Sequence, residues 1–319
     1  MVDATTKMVI PAILFAGIVA IYAMYKNAEE RRINPFAPKN LLDKDMNLPV
    51  IWLYYDTSDV NARWWSDFGD RSSRVLNIPF LNLCYETIAM QNKGKYRLEV
   101  IGGLADLAVR LGGWTALPSK LQNPLASVRE GEMNWIRAAV LARFGGLWLS
   151  PSSICFKGFG SLPAERLVFW GTDQSESFAG KRGTRAPSLN ACWSPIPEHP
   201  IWVQWAERSK LRLDSSNGGT NARDDQKGDF VELCEGKQEV EVRVSDELDR
   251  KGVSGRRLEL EDYLAAGGEG QTHFQVPASA VFTTMPWPEM KNRRAFGWFL
   301  RMSEEQILAS DLVIRNLLK

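Results

Sequence analysis

The stretch from Glu132 to Cys155 constrains this chain more than any other. Met133, Ile136 and Val140 recur at helical spacing, and Trp135, Ala139 and Ala142 widen the apolar stripe. The pattern predicts a helix from 132 to about 143 with a broad buried face. Gly145-Gly146 ends it, because a glycine pair supplies the positive φ of a helix C-cap. The apolar run Leu147-Trp148-Leu149 then has the length of a buried strand, and Ser150-Pro151-Ser152 closes it in a polar turn. Such an order puts the turn at the carboxyl end of a central strand, where open α/β sheets bind ligands.

The flanking sequence agrees with that class. Residues 50–55 form an apolar strand closed by Asp56, Thr57 and Ser58, and an amphipathic helix opens near Asn77 or Pro79 and carries Leu83, Ile88 and Met90. A second strand at 96–101 ends at Gly102-Gly103, with a further helix at 104–111, which together make a strand–helix–strand start. Downstream, 166–171 is a strand followed by a polar loop, and Pro200 suits the first turn of a helix through Trp202 and Trp205. His199, with no second His, Cys or acid pair near it in sequence, is expected as a capping or surface residue. Residues 214–256 change character, with a Gly/Ser/Asn/Asp loop, the pair Asp224-Asp225 and an alternating Val240-Glu241-Val242-Arg243-Val244 strand. They are expected as an insertion able to meet a neighbouring protein. Ser303 and Gln306 have capping-box spacing for a terminal helix over 304–318.

Before the folded part, residues 8–25 form an uncharged apolar run of 18 residues, about 27 Å long as a helix and close to a bilayer's hydrocarbon thickness. A membrane span is the expectation. A signal peptide fits less well, since only Lys7 precedes the run and no small-x-small site follows it; a buried helix is the other alternative. Lys26, Arg31, Arg32, Lys39 and Lys44 after the run put the folded part on the cytosolic side, with 1–7 across the membrane as a short tail and 26–48 as a tether. The domain proper is 49–319. Four scattered cysteines and only two histidines give neither a zinc pattern nor a His-rich centre, and reduced, buried thiols are expected. A net charge of +1 gives no basis for nucleic-acid binding. Twelve tryptophans are many for this length, and those in polar stretches (Trp64, Trp65, Trp114, Trp193, Trp202, Trp205) suit interfaces or sugar stacking.

Phe144-Gly145-Gly146-Leu147-Trp148-Leu149 resembles the core of the sugar-nucleotide glycosyltransferases of the capsular-polysaccharide and mannosyltransferase-like families. The resemblance implies an A-type glycosyltransferase fold, a mixed sheet flanked by helices. In those families an Asp on the helix and an Asp-x-Asp turn hold a divalent metal on the donor diphosphate. Here Asn134 stands at the helix position, and Ser150 and Ser152 stand at the turn. The wording of 78–88 and 149–156 is similar to glycosyltransferase-like proteins of large double-stranded DNA viruses, over about residues 48–210, which share the N-terminal hydrophobic segment and a Pro-Ser turn. That likeness implies a membrane-tethered virion component at the junction of an inner membrane and a capsid, with other capsid proteins as partners.

A hard cation needs anionic oxygens, which two serines do not provide. No metal ligand and no resident cofactor are therefore expected, and the leading expectation is a structural protein without transferase activity. The alternative is a working transferase with a nucleotide-sugar donor and Mn²⁺ or Mg²⁺. There the family likeness would put Tyr54, Asp56 and Thr57 on the nucleotide, and Asp56 or Asp173 would serve in place of the lost acids, with Glu176 beside it.

Overall fold

The computed structural model describes residues 48–56, 79–171, 187–215, 222–243, 258–267 and 276–318. Its centre is a six-stranded sheet in the order β2-β1-β3-β6-β5-β7. The strands are β1 (Val50–Tyr55), β2 (Arg97–Gly102), β3 (Gly146–Leu149), β5 (Leu167–Trp170), β6 (Ala191–Ser194) and β7 (Val240–Arg243). All run parallel except β6, which lies antiparallel between β3 and β5. A smaller antiparallel pair, β4 (Ser153–Cys155) with β8 (Phe282–Thr284), continues from the end of β3.

Helix α1 (Pro79–Asn92) links β1 to β2, α2 (Gly103–Leu111) follows β2 without a loop, and α3 (Glu130–Phe144) leads into β3. After β6 come α4 (Pro200–Ser215) and α5 (Ala222–Cys234). Among the described residues the C-terminal part holds four short helices: α6 (Leu260–Tyr263), α7 (Trp287–Asn292), α8 (Glu304–Ala309) and α9 (Val313–Leu317).

Strand alternation divides the core in two. Ile51, Leu53 and Tyr55 point to one face, where α1, β4, β8 and the C-terminal helices cover them. Trp52 and Tyr54 point to the other, with Trp148 and Phe169, under α2 to α5. A sheet that is mostly parallel must be covered on both faces, and this one is. The interior strands are accordingly largely apolar, with every residue of β5 and β6 buried, whereas the edge strands β2 and β7 carry Arg97, Glu99, Glu241 and Arg243.

The glycine pair does what its sequence implied. Gly145 and Gly146 have φ of 64° and 91°. A Cβ on Gly146 would stand 2.8 Å from the Val50 carbonyl oxygen, so the close approach of β3 to β1 requires the missing side chain. The Trp52 indole donates to the Gly145 carbonyl at 2.9 Å and fixes the corner.

Three stretches differ from the sequence-based expectation. Trp202 and Trp205 are fully buried. They form an aromatic cluster with Phe169 and Phe230, with ring centroids from 4.5 to 5.8 Å apart, which leaves no face for sugar stacking. Residues 222–243 are part of the main body: α5 buries Gln226 and Phe230 against its neighbours, and β7 is the edge strand beside β5. The C-terminal helix is two pieces. Ser303 accepts from the Gln306 amide and Gln306 Oε1 accepts from the Ser303 amide, as the capping box requires. Ser310 then turns extended, and Leu312 bridges to Ala266 while the Gly267 amide donates to Asp311, so a tertiary contact interrupts the helix.

No helix among the described residues is long and apolar enough to cross a membrane, and residues 8–25 lie outside them.

Candidate functional site

The carboxyl end of the five parallel strands gathers the chain's candidate positions. Asp56 follows β1, Gly102-Gly103 joins β2 to α2, and the turn Ser150-Pro151-Ser152 follows β3. β1 and β3 are neighbours, so Asp56 and the turn lie on adjacent strands. Thr57, Asp173 and Glu176 fall outside the described residues. Tyr54 is 1% exposed and packs in the core under α2 and α3, so its ring is spent on packing.

The turn itself is a structural joint. The Ser150 amide donates to Asn190 at 2.8 Å, and the Ser153 amide donates back to the Ser150 carbonyl at 3.1 Å. Ser152 Oγ donates to the Met285 carbonyl at 2.8 Å, and the Met285 amide returns a bond to the Ser152 carbonyl at 3.1 Å. One residue on, Ser153 Oγ and Thr284 Oγ1 are 2.9 Å apart as β4 pairs with β8. Ser150 Oγ is 3.4 Å from Ser152 Oγ and half-buried. The hydroxyl that lies deepest is therefore already committed to the protein, and the turn presents no anionic oxygen. These residues do not fit a divalent cation on a diphosphate, which needs carboxylate oxygens. Among the described residues no three His, Cys, Asp or Glu side chains cluster as a metal site.

Asn134 does not join the turn. It is fully buried in the helix layer, where Arg137 donates to its Oδ1 at 2.8 Å and its Nδ2 faces Gln226 Oε1 at 3.4 Å. Arg137 is the residue that sequence reasoning missed. It is 6% exposed, its guanidinium lies 5.7 Å from the Trp148 ring centroid, and its Nε has no hydrogen-bond partner. Burial lowers its pKa from the ordinary arginine value, with Cys192 and Glu130 acting the other way. The signal was present in the three-residue spacing from Asn134 to Arg137, which places both on one helix face. Gln226, ninety-two residues away, had no such signal.

His199 is a buried cap: its Nδ1 accepts from the Ile201 amide at 3.4 Å at the start of α4. Burial lowers its pKa, and Glu239 opposes that shift. None of the four cysteines is in a disulfide; burial raises the Cys84, Cys155 and Cys234 thiols, the last to about 12, which makes them poor nucleophiles.

At the opposite, amino end of the sheet an open pocket of about 460 Å³ is lined by Pro49, Lys95, Tyr96, Leu162 and Trp193. The Tyr96 hydroxyl donates to Gly160 and the Trp193 indole to Pro163, so both polar groups are satisfied internally.

No protein-family model matches this chain, and no curated protein matches it.

Proposed function

We propose that this chain is a membrane-anchored, glycosyltransferase-like structural protein, and that in a large DNA virus it links an inner membrane to the capsid as a minor virion component. One observation carries the non-catalytic part of the reading. The turn at the carboxyl end of β3 is uncharged, and its buried hydroxyl at Ser152 is tied to Met285. A transferase of the resembled kind places its acids at that turn, and Asn134 is likewise committed elsewhere, to Arg137. The anchor rests on the apolar run 8–25 and the cations that follow it.

The test is turnover. The full chain in detergent, with Mn²⁺ and a panel of uridine- and guanosine-diphosphate sugars, should release no nucleoside diphosphate above a protein-free control, with or without sugar acceptors. Release that depends on metal and is lost in Asp56→Asn would replace this reading with an active transferase.

A further inference from the structure

The side of α3 that meets α5 is polar where its surroundings are apolar. Asn134 and Arg137, three residues apart, share one helix face, and Gln226 of α5 lies against Asn134. Arg137 donates to Asn134 Oδ1 at 2.8 Å, and Asn134 Nδ2 lies 3.4 Å from Gln226 Oε1. The guanidinium and the Gln226 amide are therefore held at the two ends of a single side-chain amide. Asn134 and Gln226 are fully buried, and Arg137 is nearly so.

The polarity of this chain of bonds is fixed from one end. A guanidinium only donates, so the Asn134 oxygen must face Arg137, its nitrogen must face Gln226, and the Gln226 oxygen must face that nitrogen. What is left over is donors. Arg137 Nε and Gln226 Nε2 are both buried without a partner, and Trp202 Nε1 in the same layer is a third. Roughly nine in ten buried polar groups are paired, so two unmet donors joined through one amide mark a place where an acceptor belongs.

The acceptor that fits is an anion. Among the described residues no carboxylate stands within salt-bridge distance of Arg137. The Trp148 ring covers the guanidinium, its centroid 5.7 Å from Cζ, so a ligand meets Arg137 in the plane of its N–H groups. A water would accept from both nitrogens but bring two hydrogens to a layer already short of acceptors, whereas a halide accepts without donating and carries the charge that one guanidinium lacks. Gly131 gives the approach. It is half-exposed, and a Cβ there would stand 3.4 Å from Gln226 Oε1 and 4.0 Å from Nε2, so the amide lies beneath a gap in the side-chain cover.

We infer that Arg137 Nε and Gln226 Nε2 hold one monovalent anion of chloride size between α3 and α5. The site is independent of the proposed structural role and of the turn at the end of β3.

The experiment follows unfolding of the full chain in detergent while sodium chloride replaces sodium gluconate at constant ionic strength, which holds screening fixed. One site on the folded state makes the folding constant rise roughly tenfold for each tenfold of chloride above the dissociation constant. Bromide should act as chloride does, and crystals grown with bromide should show an anomalous peak within hydrogen-bond reach of both nitrogens. Asn134→Asp supplies the negative charge from within the chain and should abolish the chloride dependence, and Gln226→Leu should weaken chloride about tenfold or more. Equal stability of the wild type in chloride and gluconate would overturn the inference, as would an ordered water at the site in the bromide crystals; both readouts use the wild type and stand even if a variant does not fold. An equal chloride gain in wild type and Asn134→Asp would place the ion elsewhere and overturn it as well. So would a chloride dependence that appears only in Cys192→Ser, which would make the thiolate of Cys192, the cross-strand neighbour of Trp148, the counter-charge instead.

Discussion

Asn134 accepts from the buried Arg137 guanidinium at its amide oxygen, and among the described residues no carboxylate stands within salt-bridge distance of it, Glu130 acting only from farther away. An unpaired buried charge is costly, and pairing it recovers part of that cost. Asn134→Asp should therefore stabilise the fold by about 1–2 kcal/mol near neutral pH. The new carboxylate would face Arg137, and Gln226 could turn its unpartnered Nε2 toward it. Arg137 would hold that carboxyl below its ordinary pKa, so the gain is present at pH 7 and disappears as pH falls through the lowered value. Urea unfolding at pH 7 and at about pH 2.5, below the ordinary Asp value of ~3.9, measures this, and a variant less stable at pH 7 would show that desolvation of the acid dominates. His199 gives a second, opposite test. Its folded pKa lies below the unfolded one, so the unfolded chain binds a proton first as pH drops below about 6.5, and stability declines until the folded imidazole protonates as well. His199→Asn keeps an acceptor for Ile201 and does not titrate. It should gain on the wild type between pH 7.5 and 5.5 in unfolding experiments; a difference independent of pH would remove His199 from the acid limb.

At the scale of elements, local pattern was legible wherever one element supplied its own reason. The helix over α3, the glycine stop and β3 follow from apolar spacing and a pair of positive-φ residues, and the strand–helix–strand start from β1 to β2 follows from the same kind of periodicity. The terminal helix was legible at its capped start and not at its break, because the contact of Leu312 with Ala266 is long-range. The aromatic helix α4 looked partly exposed because Gln204 lies between its tryptophans and Glu207, Arg208 and Lys210 follow them, yet Trp202 and Trp205 lie on one buried face. Two glycines separate backbone need from backbone slack. Gly146→Ala forces a Cβ onto the Val50 carbonyl at positive φ and should cost about 2 kcal/mol or more. Gly228→Ala, inside α5 with open space around its Cβ position, should gain about 0.5–1 kcal/mol. Thermal or urea unfolding of the two variants side by side checks both signs.

For the molecule as a whole, a mixed α/β sheet with helices on both faces was readable from the sequence, and its strand order was not. The antiparallel β6 and the edge strand β7 depend on pairing across more than forty residues, as in Leu149 with Ala191 and Leu167 with Val240, which no local pattern encodes. The candidate site was half legible. The absence of acids at Ser150 and Ser152 could be read directly, whereas their ties to Met285 and Asn190 come from the far end of the chain and from the start of β6. Those ties make the turn a joint between the two sheets, and that uncharged joint is what the proposed structural role rests on. Calorimetric titration of the full chain with uridine- and guanosine-diphosphate sugars in the presence of Mn²⁺ tests this most directly. The account predicts no metal-dependent heat up to millimolar ligand, whereas micromolar binding that requires Mn²⁺ and is abolished by Asp56→Asn would contradict it.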